Sequence, residues 1–190
     1  MQRVLLLQDA LEEPLLHDQL RELGYEIAAI VRDVAALTDE VVRTRPDVII
    51  VTTHTPGEET FSRLGAVTAS SPVPIVMFAR HGDRELIRKA VESGVCAYVV
   101  DGWAPTRLTP IIEAATARFE AHEALRKELA STRAKLNERK LIEKAKGIVM
   151  QQRRLSEDQA YVALRKMAMD QNLAMAEVAR RVIAVAQLLA

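Results

Sequence analysis

Between residues 1 and 104 the chain alternates short apolar runs with amphipathic stretches, and that alternation leaves few folds open. The runs are Val4–Leu7, Ile27–Val31, Asp47–Val51, Ile75–Phe78 and Ala97–Val100. Each is of strand length. Between them, helical spacing covers a segment from Pro14 to just before Gly24, then Val34–Thr44, Phe61–Ala69 and Arg84–Ser93. Asp47–Val51 is the least interrupted run, as expected of a strand buried on both faces. Strands that alternate with helices in this way build a parallel α/β sheet covered on both sides.

After Pro105 the pattern changes. No glycine occurs until Gly147, and Ile111, Ala115, His122, Leu125, Leu129, Thr132 and Leu136 recur at close to heptad spacing. Charged residues surround them. A solitary helix would leave that apolar stripe in water, so the spacing predicts a coiled-coil seam centred on Leu125, Leu129 and Leu136, and hence a homodimer. The chain then divides into 1–106, a linker helix over 107–140, and 141–190.

Charge helps with the last part. The net charge is zero, yet residues 140–190 hold nine Lys/Arg and five Asp/Glu, a net of +4, which leaves −4 for the rest. Such asymmetry suits a C-terminal part that meets a polyanion. Other chemistry is not encoded. The histidines His17, His54, His81 and His122 have no paired ligand spacing, and Cys96 is the single cysteine, so neither a metal site nor a disulfide is expected. Cys96 reads as a small buried hydrophobe, and Tyr98 and Trp103 as packing residues. There is no phosphate-binding glycine loop and no nucleophile beside a base. The expectation is a non-enzyme without cofactor. No signal peptide or membrane-length apolar run is present, so the expected location is the cytoplasm.

Leu141–Val185 places apolar residues at helical steps in three short helices. The first carries Ala145, Ile148, Val149 and Met150. The second opens near Glu157, capped by Ser156, and carries Ala160, Tyr161, Leu164, Met167 and Ala168. The third runs from about Ala174 through Val178, Val182 and Val185. Periodicity alone is equally satisfied by a helical hairpin with a solvated charged face. The A-K-G of Ala145–Gly147, Met150, the A-Y-x-x-L-R of Ala160–Arg165, Ala168-Met169 and Val178-Ala179 together resemble the ANTAR family. That family is the RNA-binding output domain of bacterial antiterminators. The resemblance implies an RNA surface made of Lys144, Lys146, Gly147, Arg153, Tyr161, Arg165 and Lys166. Arg165 would stack on or fork to a loop base, Lys144 and Lys146 would neutralise phosphates, and Gly147 would let a strand come close. The competing reading pairs Arg165 with Asp158 or Glu157.

The first half resembles a response-regulator receiver, which implies a flavodoxin-like sheet in the order 2-1-3-4-5. An active receiver needs an acidic pair, a phosphoacceptor Asp, a Thr or Ser, and a Lys, which together hold Mg²⁺ and the phosphoryl oxygens. The corresponding positions here are Gln8 and Asp9, Thr52, Ala79 and Asp101. Only Asp9 fits, so the expectation is a pseudo-receiver that takes no phosphate. Receiver, coiled coil and ANTAR parts in one chain resemble the AmiR/NasT group, and A-Y-V-V-D-G at Ala97–Gly102 resembles its nitrate-assimilation branch. The group implies leader-RNA hairpins as targets and a ligand-sensing partner, here a nitrate or nitrite sensor, as the input. Two other functions remain open on sequence. One is a DNA-binding regulator using Ala176–Val182, although no glycine marks a helix-turn-helix turn there. The other is a dimerising adaptor without nucleic acid.

Overall fold

The computed structural model describes residues 1–8, 14–101 and 104–188, the side chains of 14, 15 and 188 excepted. Strands β1 (Arg3–Gln8), β2 (Glu26–Val31), β3 (Val48–Thr53), β4 (Ile75–Ala79) and β5 (Val95–Val100) pair in parallel in the order β2-β1-β3-β4-β5. This is the order that the receiver resemblance implied. β3 lies at the centre because its sequence, VIIVTT, tolerates no water on either face, and all its residues are buried. It is longer than the apolar run, taking in Thr52 and Thr53, because parallel pairing with β4 continues to Thr53–Ala79.

Alternate side chains of the sheet serve two cores. Leu5, Leu7, Ile49, Val51, Ile75 and Met77 face one. It is covered by α2 (Leu37–Thr44) through Leu37 and Val41, α3 (Glu58–Ser70) through Phe61, Leu64 and Val67, and α4 (Arg84–Glu92) through Ala90. Val4, Leu6, Val48, Ile50, Val76 and Phe78 face the other, which α1 (Pro14–Glu22) covers with Leu16 and Leu20. Leu108, Ile112 and Ala115 complete this second core.

Those last three belong to α5 (Pro105–Arg153), one helix of 49 residues. The chain forms two compact units, Met1–Glu123 and Ala124–Ala190. The first unit therefore extends well beyond 106. Ile111 and Ala115 fit the heptad stripe but pack against the sheet, not against another helix. Heptad and ordinary helical periods diverge only slightly over two turns, so spacing could not name their partner. Every residue from 124 to 140 is exposed, with Leu125 at 64%, Leu129 at 49% and Leu136 at 52%. In the second unit α5 is followed by α6 (Glu157–Asp170) and α7 (Met175–Leu188). No helix among the described residues is long and apolar enough to cross a membrane.

Candidate functional site

The C-terminal ends of the strands bring together the positions that an active receiver would use. Gln8 pairs with Thr52 across β1 and β3, while Thr53 pairs with Ala79, and Ala79 with Val100, just before Asp101. Thr52 is 7% exposed and Ala79 1%, whereas Asp101 is exposed, with φ at +66°. Asp9 lies outside the described residues. The groups in place do not fit Mg²⁺. They offer an amide, a hydroxyl and a methyl where carboxylates and a hydroxyl would be needed, and a carboxylate where the ammonium belongs. No cluster of three or more His, Cys, Asp or Glu able to hold a metal ion occurs among the described residues.

Beside these positions Tyr98 is pinned. Its hydroxyl donates to the His81 carbonyl at 2.7 Å, and its ring lies so close to Gly82 that a Cβ there would sit 2.8 Å from Tyr98 Cε1. Burial pushes the phenol above its ordinary pKa, which keeps it a donor at neutral pH. The packing role expected of Tyr98 is what the structure has; Trp103 lies outside the described residues. Cys96 is half-buried, and burial likewise raises its thiol pKa.

In the second unit small residues set the spacing between helices. Ala145 on α5, Ala160 and Leu164 on α6 and Ala179 on α7 are fully buried, with Val149, Ala168, Val178 and Ile183 beside them. The α7 stripe runs Ala176, Ala179, Ile183 and not through Val185, which is 55% exposed. A Ser156–Gln159 capping box opens α6: Gln159 N donates to Ser156 Oγ at 3.3 Å, and Ser156 N to Gln159 Oε1 at 2.9 Å. Arg154, with φ at +50°, turns the chain between the two helices.

The cations fall into two groups. Lys146 does not face solvent as the resemblance implied. It is 8% exposed, and its Nζ meets Glu143 Oε2 at 2.6 Å and Glu157 Oε1 at 2.7 Å. Hydrogen bonds to Glu143 and then to Glu157 raise its pKa, and its own bond lowers that of Glu157. Lys146 thus ties α5 to the first turn of α6. Glu157 is engaged there, and the pairing of Arg165 with Asp158 or Glu157 weighed from the sequence does not form: among the described residues no carboxylate lies within ion-pair distance of Arg165. Lys144, Arg153, Arg165 and Lys166 are exposed, and Tyr161 is 46% exposed. Tyr161, Arg165 and Met169 follow one another at four-residue steps along one edge of α6, with Val162 and Lys166 on the adjoining row. At Gly147 a Cβ would meet nothing within 4 Å, so the helix surface there is open.

Residues 130–183 match the ANTAR domain family. The chain is also 31% identical over 182 residues to the transcriptional regulatory protein PdtaR of Mycobacterium tuberculosis, which spans 95% of this chain and 89% of that protein. This chain belongs to the ANTAR-containing transcriptional regulators. A nitrate regulatory protein of Klebsiella oxytoca is 51% identical over 70 residues, 36% of this chain and 18% of that protein. In structure, the signal receiver domain of a modulated diguanylate cyclase from Desulfovibrio desulfuricans superposes with a TM-score of 0.57. It is 22% identical, and the match covers 64% of this chain and 98% of that domain, so the likeness is one of fold.

The ANTAR match begins on the bare part of α5 and ends at Ile183, the last buried residue of the three-helix core. The Lys146 clamp inside it was only half visible in sequence: Glu143 stands one turn away, but Glu157 meets the lysine only once the turn at Arg154 is formed.

Two outcomes are expected. Incubation with acetyl phosphate and Mg²⁺ should leave the intact mass unchanged; a stoichiometric, hydroxylamine-labile adduct would contradict the geometry at Thr52. Replacing Lys146 by Met should lower the melting temperature of the ANTAR unit at neutral pH. Glu157 is depressed in the folded state, so its share of the clamp is present above its ordinary pKa and lost as pH falls through the lowered one. Lys146 is raised, so its share persists until pH climbs past the ordinary lysine value. The melting gap between wild type and Lys146→Met should therefore hold near neutrality and close on acidification; a gap that stays constant down to pH 2 would count against the clamp.

Proposed function

We propose that this chain is an RNA-binding transcription antiterminator whose ANTAR unit grips leader-RNA stem-loops and so prevents termination. The observation that carries this is the outer surface of α6. A phenol, a guanidinium with no acidic partner among the described residues, and an ammonium stand exposed in adjoining rows. Aromatic rings stack on unpaired bases, and guanidinium planes stack on or fork to them, while point charges suit phosphates. A solvated helix face that only kept the protein soluble would gain from pairing Arg165 with an acid. It would gain nothing from leaving Tyr161, Val162 and Met169 in water beside it.

The bare stretch of α5 supports a homodimer as the active form, with Leu125, Leu129 and Leu136 in the seam. The strand-end positions, lacking acceptor and metal groups, support control by a ligand-sensing partner in place of phosphorylation. The similarity to a nitrate regulatory protein supports nitrate and nitrite assimilation genes as targets. Such a regulator acts by binding alone and works in the cytoplasm, where leader RNA is transcribed.

Gel shifts against matched RNA hairpins and duplex DNA test the central claim, with retention of RNA alone expected. Tyr161→Ala and Arg165→Ala should each cost roughly 1–3 kcal/mol of hairpin affinity at unchanged helix content. Preference for the duplex would transfer the protein to the DNA-binding regulators. For the seam, Leu129→Asp should shift sedimentation towards monomer, since each buried leucine contributes about 1.5–3 kcal/mol. A wild type that sediments as monomer at tens of micromolar would remove the dimer from the proposal.

A further inference from the structure

A second feature of the ANTAR unit is a cleft of about 220 Å³ opening among α5, α6 and α7. Its walls are apolar: Ala163 and Met167 from α6, Val182 and Val185 from α7. The exposure of Val185, on a helix whose stripe otherwise faces the core, follows from its place in this wall. The rim is polar, with Gln152 and Arg153 at the end of α5 and Arg181 on α7. Among the described residues no acidic side chain lines it and Arg153 has no ion-pair partner, while Arg181 donates to Gln171 Oε1 at 3.3 Å and lies 3.8 Å from Glu177 Oε1.

We propose that this cleft captures a single unpaired RNA base turned out of the hairpin loop. The inference rests on the RNA-binding reading given above and names what the unit would take hold of. The apolar walls suit the faces of a base, since a base turned out of its stack is held between aromatic or apolar side chains. The Gln152 amide both donates and accepts, as a base edge requires, and the guanidinium of Arg153 at the mouth matches the phosphate that must follow the base. Size agrees. Pockets that enclose drug-sized molecules run to roughly 300–1,000 Å³, so this smaller cleft suits one ring system.

The position of the cleft extends the RNA surface. At about 100° per residue around α6, Ala163 and Met167 lie on the flank away from Tyr161 and Arg165, with Lys166 on the crest between. A loop that straddles α6 would meet the Tyr161 edge on one side, Lys166 across the top and the cleft on the other. The edge and the cleft would then engage different bases of the same loop.

The test uses the full chain and a leader hairpin it binds, with 2-aminopurine placed at each loop position in turn. One position should change its emission on binding, and an abasic site there should weaken binding by about tenfold, equivalent to about 1.4 kcal/mol. Ala163→Leu, which fills the cleft, and Arg153→Ala, at an exposed site, should each weaken binding of the intact hairpin. Ala163→Leu should not weaken binding of the abasic one further, because it removes the same contact, whereas Arg153→Ala should, because the phosphate it meets is still there. Additive losses for Ala163→Leu and the abasic site, or variants that bind like wild type with no responsive loop position, would overturn the cleft while leaving hairpin recognition standing. A wild type that binds no hairpin would overturn both. If Ala163→Leu instead alters self-association and not RNA affinity, the cleft seats a second copy of the chain and the base assignment is wrong.

Discussion

Both compact units depend on one continuous helix. At its start α5 gives Leu108, Ile112 and Ala115 to the sheet, and near its end it gives Ala145 and Val149 to the ANTAR core. Between these anchors every residue from 124 to 140 is exposed. Most helix stability in proteins comes from packing one apolar face, and an unpacked stretch relies on its own hydrogen bonds and on pairs of charges along its surface. The two ends of α5 are thus held by different neighbours, and the middle is held by neither. Each unit closes its core with its own length of this helix, Leu108 to Ala115 in the first and Ala145 to Val149 in the second.

The receiver-like unit keeps the scaffold, with Thr52, Ala79 and Asp101 at strand-end positions. Burial of β3 rests on valines and isoleucines whose packing does not involve the strand ends, so Thr52, Ala79 and Asp101 can occupy their positions without disturbing the sheet. Tyr98, hydrogen-bonded to His81 and seated over Gly82, is fixed by neighbours rather than poised between alternatives.

The strands were readable because short apolar runs alternating with helices are local signals, whereas their order came from the receiver resemblance. The helices of the ANTAR unit were readable from their spacing, and the family from its resemblance alone. What escaped was anything set by a partner distant in sequence. Ile111 and Ala115 carry the same spacing as the leucines after them, yet the sheet claims the first pair and leaves the others bare. Lys146 looks like any helix-surface base until Glu157 is brought beside it by the turn at Arg154. On α7, the core takes Ile183 and leaves Val185 to the cleft, a difference of phase that the apolar run Val182–Ala186 does not announce. Asp9 and Trp103 lie outside the described residues, so nothing of their surroundings enters the site.

The uncovered middle of α5 also makes the protein its own indicator of assembly. Amides from 124 to 140 have only the helix itself to shield them, and local opening of such a stretch sets their hydrogen-exchange rates. Anything that settles on those leucines must slow exchange there, whereas a ligand taken up elsewhere has no contact through which to do so. The same seventeen or so amides would therefore distinguish a protein waiting alone from one already joined to its companion, with no label attached.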